Sequence, residues 1–148
     1  MPTHLLATGD LGDPSQLSEL ARLIFRLALA MALGAIMGWQ HERQGDAAGL
    51  RTHMLVAIGT TLFLILLPQA GLSGTELGKV LASLLAGLGL LCAGILLRQR
   101  GNGRVVDLTS AGGIWVTGAI ATAVGVGQAT TAIVGTLFAA ATLSVLRR

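Results

Sequence analysis

Side chains that can exchange protons, pair charges or hold ions crowd into two stretches of this 148-residue chain. The first is Gly-Trp-Gln-His-Glu-Arg-Gln-Gly-Asp-Ala-Ala-Gly-Leu-Arg-Thr-His, residues 38–53. Glu42 and Arg43 offer opposite charges side by side, and Arg51, Thr52 and His53 stand at the mouth of the next apolar run. An arginine at the start of a helix meets the positive end of the helix dipole, so Arg51 needs a carboxylate, a phosphate or an anionic headgroup as partner. Thr52 is expected to be the N-cap there, its hydroxyl accepting a backbone N–H. The second stretch, residues 98–115, carries Arg98, Arg100, Arg104, Asp107 and Thr109. Asp107 or Thr109 suits the cap of the following helix, and Asp107 is also a candidate partner for an arginine of the first stretch. Glu42, Arg43, Arg51, Thr52, His53, Asp107 and Thr109 form the candidate functional cluster.

Several chemistries are not expected. His41 and His53 lie twelve residues apart with no cysteine or carboxylate at ligand spacing, which argues against zinc. A Mg²⁺ site draws on one or two converging carboxylates, yet the apolar runs after residue 52 have acids only near their ends. The identity of any bound metal is therefore left open. Gly101 and Gly103 make a flexible turn, but no strand precedes them as a phosphate-cradling loop requires. Cys92 sits within an apolar run, where a thiol is expected to be buried in lipid and inert. No nucleophile stands beside a base, so neither an enzyme nor a cofactor is expected.

The elements that position these residues follow from composition. Hydrophobic residues make up 53% of the chain and charged ones 11%, with 21 glycines and a mean hydropathy of +0.74. A soluble domain carries roughly a quarter charged residues. Five apolar runs, at about Leu20–Trp39, Thr52–Leu67, Val80–Leu97, Ala111–Gly127 and Ala129–Leu146, approach the roughly 20 residues that cross a bilayer as helix. They lack the strict alternation of barrel strands. The expected fold is an all-α integral membrane bundle of five transmembrane helices spanning residues 20–148, with Pro68 closing the second. Residues 1–19, with no basic or apolar leader segment, are expected to form a short, loosely ordered tail. Small residues at four-residue spacing, including Gly34 with Gly38, Ala82 with Ala86, Gly89 with Ala93, and Ala121 with Gly125, mark helix-facing stripes. Gly34, Gly38, Gly87, Gly89 and Gly94 are the expected packing glycines. Gly125 and Gly127 suit a tight turn into the fifth helix.

Arginines choose the orientation. Arg43, Arg51, Arg98, Arg100, Arg104, Arg147 and Arg148 fall on one side, against Arg22, Arg26 and Lys79 on the other. The positive-inside bias then puts the N-terminus outside and the C-terminus in the cytoplasm, and gathers both polar loops on the cytoplasmic face. Basic residues at helix ends beside anionic lipid account for the sequence pI of about 10.5, so no nucleic-acid partner is expected. Arg22 and Arg26, one helical turn apart, are expected to snorkel to the outer interface.

Three runs, Ala-Gly-Leu-Arg-Thr-His-Met-Leu-Val-Ala-Ile-Gly (48–59), Gly-Leu-Gly-Leu-Leu-Cys-Ala-Gly-Ile (87–95) and Leu-Thr-Ser-Ala-Gly-Gly-Ile-Trp-Val-Thr-Gly-Ala-Ile (108–120), together resemble the membrane domain of the MgtC/SapB family, including its YhiD-like members. The resemblance covers residues 20–148. It implies a multi-pass bacterial inner-membrane protein, linked to Mg²⁺ homeostasis, stress adaptation and virulence, that modulates another membrane complex rather than catalysing a reaction. A small oligomeric Mg²⁺ or proton transporter or channel is the alternative. The family's first helix ends in Gly-x-Glu-Arg. An ungapped match places Gln40 and His41 there, whereas a two-residue shift places Glu42 and Arg43, which keep the chemistry. Lys79, Ser83, Cys92 and Asp107 depart from the family's usual residues. The chain resembles the family without its soluble C-terminal domain, a minimal form. The bilayer, a second membrane protein complex and a further copy of the chain are the partners implied.

Overall fold

The computed structural model describes residues 14–46, 48–69, 71, 74–100 and 108–145. They form five helices: α1 (Pro14–Gln44), α2 (Leu50–Gln69), α3 (Gly74–Arg100), α4 (Leu108–Gly125) and α5 (Ala129–Val145). Four of these are long and apolar enough to cross a membrane, and α5, with 17 residues, is a shorter apolar helix. No strand occurs among the described residues. α1, α2 and α3 outrun the apolar sequence at both ends because backbone bonding continues through the polar first and last turns, whereas α4 stops at Gly125, two residues short of the expected run. α1 starts six residues early, with Pro14 at the first helical position, where its missing N–H costs nothing. α2 runs one residue past Pro68. A proline in the last turn removes only one ladder bond.

The molecule is apolar outside and partly polar inside. Leu90, Phe138 and Leu55 are 75%, 73% and 70% exposed, while Thr61, Ser110, Thr117, His41 and His53 are fully buried. Such a surface matches hydrocarbon, and the protein is a membrane protein. α4 touches all four other helices and is the central one. Ala30, Leu33 and Met37 of α1, Ala57 of α2, Ile120, Ala121 and Val124 of α4, and Ala132 of α5 make the core.

Lipid gives helices no hydrophobic reason to pair, so close backbone approach decides the contacts. A Cβ on Gly34 would fall 2.8 Å from Ala57 Cβ, and one on Gly38 would fall 2.6 Å from Leu50 Cα, so both glycines admit α2. Gly125 admits Leu64 of α2 in the same way, as its place in the Ala121–Gly125 stripe predicts. Thr61 Oγ1 donates to the Ala121 carbonyl at 3.1 Å and ties α2 to α4; such interhelical bonds are worth about 0.6 kcal/mol on average in membranes.

α3 departs from the expected pattern. Gly87, Gly89 and Gly94 have nothing within 4 Å of a built Cβ, and Ala82, Ala86 and Ala93 are exposed. Its contact with α4 instead runs through Leu88, which lies against Gly118, and through Cys92, whose Sγ donates to the Ala111 carbonyl at 3.2 Å. Cys92 is thus a half-buried helix contact and not a thiol immersed in lipid.

The turn into α5 closes by bonds from Gly127 N–H to Val124 and from Gln128 N–H to Ala123, with Gly127 at φ +90°. Only a residue without Cβ adopts that conformation at little cost. Arg26 reaches across to the Gly125 carbonyl at 3.4 Å, so it caps the end of α4 rather than snorkelling freely.

Candidate functional site: a buried histidine pair at the α1–α2 joint

The same turn chemistry builds the site. At the end of α1, Gly45 (φ +76°) donates to the Glu42 carbonyl and Asp46 N–H donates to the His41 carbonyl, both at 3.1 Å. This left-handed closure folds Asp46 back over the last turn of α1. There its Oδ2 accepts from His41 Nδ1 at 2.5 Å. Glu42 Oε2 accepts the Leu50 N–H at 2.9 Å and so supplies both the cap and the negative charge for the start of α2. Thr52, expected as that cap, instead stands exposed inside the first turn of α2. The reason is local: the helix opens at Leu50, two residues earlier, because a carboxylate from α1 reaches its N-terminus first.

The five-residue connection sets the first turn of α2 beside the last turn of α1. His53 lies against His41, ring centroids 4.7 Å apart and planes 17° from parallel. His53 Nδ1 contacts the Gly49 carbonyl at 3.1 Å. Both rings are fully buried. α4 completes the enclosure with Gly113, where a built Cβ would overlap His41 Nε2. Both Nε2 atoms lack a hydrogen-bond partner among the described residues, as does Gln40 Oε1.

Of the predicted cluster, Glu42 and His53 meet at this joint. Arg43 lies over the Trp39 ring at 3.9 Å. Arg51 is exposed and makes no hydrogen bond or ion pair among the described residues. Thr109 is in the first turn of α4. Asp107 lies outside the described residues. His41, Asp46 and Gly113 were missed by spacing alone; the readable signal was two histidines each within about one helical turn of a short, glycine-bearing connection. Among the described residues no group of three or more His, Cys, Asp or Glu is arranged to hold a metal ion.

No solved structure matches this chain. Among curated proteins, SrpB of Synechococcus elongatus is 37% identical over 137 residues, covering 85% of this chain and 75% of SrpB. The protein named "Putative magnesium transporter YhiD" of Escherichia coli K12 is 35% identical over 137 residues, covering 86% and 62%. MgtC of Salmonella typhimurium LT2 is 34% identical over 114 residues, covering 77% and 48%. This chain therefore spans about three fifths of YhiD and about half of MgtC. The family model described as the MgtC family matches residues 27–148, and the chain belongs to the MgtC family.

Proposed function

We propose that residues 20–148 act as one transmembrane unit in a bacterial inner membrane, with the N-terminus outside and the C-terminus in the cytoplasm. In this reading the chain is not an enzyme; it contributes to magnesium or ion homeostasis and stress adaptation by contacting another membrane complex. The contact surface is the polar end that carries Glu42, Arg43, Arg51, Thr52, Asp107 and Thr109, with His53 buried beneath it. The observation that carries the reading is the unequal engagement of the charged side chains described at that end. The carboxylates of the joint are engaged internally, Glu42 by the Leu50 N–H and Asp46 by His41, while Arg43 and Arg51 remain exposed. An exposed cation at the start of α2 is then available to an acidic partner. The magnesium link draws on the names of YhiD and MgtC.

Arg51→Ala is expected to reduce growth in limiting Mg²⁺ at unchanged membrane level and to weaken crosslinking from the cytoplasmic face to a neighbouring complex. Unchanged growth and crosslinking would remove the cluster from this account. The orientation requires that a reporter fused after Arg148 be active in the cytoplasm.

A second reading, a small oligomeric transporter of Mg²⁺ or protons, draws on the open flank of α3. There a cavity of about 780 Å³ between α2 and α3 is lined by Thr52, Thr60 and Ser83 on otherwise apolar walls. Saturable flux of Mg²⁺ or protons into liposomes holding the purified chain, lost on substituting Ser83, would favour it over the regulator.

A further inference from the structure

The buried side-chain N and O atoms without a hydrogen-bond partner among the described residues are Gln40 Oε1, His41 Nε2 and His53 Nε2, and all three lie at the α1–α2 joint. The bonds on the other side of each ring fix where its hydrogen sits. A carbonyl can only accept, so the contact to Gly49 makes His53 Nδ1 the donor; the Asp46 carboxylate likewise accepts from His41 Nδ1. In the neutral pair both Nε2 atoms are consequently bare lone pairs sealed from water. A buried acceptor left empty is costly, and two in one stack need an explanation beyond packing.

A proton is the ligand that bare imidazole nitrogens take. The first finds a counter-charge in Asp46 at His41. A second would stand on a ring 4.7 Å away without a carboxylate of its own. Among the described residues the charged groups around the pair do not supply one. From α1, Glu42 is held by the Leu50 N–H and Arg43 is drawn onto Trp39; from α2, Arg51 is a cation. α4 and α5 contain no ionisable residue. α4 instead presents Gly113, whose carbonyl already accepts the Thr117 hydroxyl at 2.8 Å in addition to its place in the helix ladder. On the α4 side a new N–H finds no free acceptor among the described residues, and two cations would repel, so the strain falls on the seam with α4, where Gly113 lies against the His41 ring.

We propose that His41 and His53 form a proton-binding site whose filling releases α4 from the α1–α2 pair, so that acid rearranges the polar end assigned above to partner contact. The last clause rests on that functional reading; the release does not. Ser110 on α4 is fully buried, and Leu108, one turn away at most, is exposed. Two single-cysteine forms of the full chain, Ser110→Cys and Leu108→Cys on a Cys92→Ser background, are labelled with maleimide in nanodiscs between about pH 7.5 and 5, the interval in which histidines change charge. The ratio of the two rates cancels the thiolate dependence of the reagent. It is expected to rise as pH falls, by up to about tenfold per unit for one linked proton, and to stay flat in His53→Phe, which keeps a ring and removes the lone pair.

The unaltered chain gives an independent reading if that variant fails to fold: the ¹⁵N signals of the buried imidazoles should move from bare to protonated Nε2 over the range in which the ratio rises. A flat ratio in the histidine-bearing chain, an equal rise in His53→Phe, or rings that titrate with no change in labelling overturns the release. If the ratio rises but crosslinking to a neighbouring complex is the same at both ends of the interval, the proton site stands and the partner-docking reading falls.

Discussion

Gly38→Leu should leave almost no folded protein in the membrane, whereas Gly89→Leu should leave thermal stability in detergent unchanged or slightly higher. The two glycines look alike along the chain, each sitting in a small-residue stripe of an apolar helix. Their surroundings are opposite. A Cβ at position 38 would lie 2.6 Å from Leu50 Cα and 3.0 Å from both the Leu50 carbonyl oxygen and His53 Cβ. The obstructing atoms are mainly backbone, so no rotamer change relieves the overlap and α2 must move away from α1. Overpacking of a close contact typically costs about 1–3 kcal/mol, and a leucine against backbone belongs at or above the upper end. It would also break the seat of His53 and the Glu42 bond that starts α2. At position 89 a built Cβ meets nothing within 4 Å, and exchanging glycine for leucine in a helix gains up to about 1 kcal/mol in propensity. Comparable thermal transitions for the two variants would mean that α1 and α2 do not approach as closely as described.

The second large effect is expected at Gly113. In Gly113→Ala the new methyl would collide with His41, lying over Nε2 and 2.6 Å from Cε1. The ring has little freedom to yield, because Asp46 holds its Nδ1 and His53 lies along it. A loss of about 1–3 kcal/mol is expected from the thermal transition, against the small gain that alanine brings to most helix positions. The decisive measurement is the double mutant. With His41→Ala in the background, the methyl enters vacated space, and Gly113→Ala should cost much less; a coupling energy of about 1 kcal/mol or more is the expected outcome for residues in direct contact. Additive effects would show that α4 does not close the histidine pair. This result bears on the proton site as well, since that site depends on Gly113 lying against the ring.

The sequence by itself determined the solvent, the element type and the family. Runs of about 20 apolar residues with few charges have one stable backbone solution in hydrocarbon, the helix that satisfies its own hydrogen bonds, and the order of the five helices follows directly. The Gly-Leu-Arg-Thr-His run and its two companions were sufficient to point to the MgtC family, which the family match over residues 27–148 bears out. Gly45 and Gly127, by contrast, show how a local signal becomes legible only in part. A glycine after an apolar run announces a turn, but that the turn at Gly45 carries Asp46 onto His41 depends on where the closing bonds fall.

What the tertiary structure decided was which faces meet. Four-residue spacing of small side chains is the same on α1 and α3, yet only α1 uses it against a neighbour, because α3 leans on α4 through Leu88 and Cys92 instead. His41 and His53 are remote by spacing and adjacent in space, since a five-residue connection returns the chain beside its own last turn. Period and composition describe one helix at a time; the rotation of each helix about its axis is set by the close backbone contacts between them, and no single helix records it.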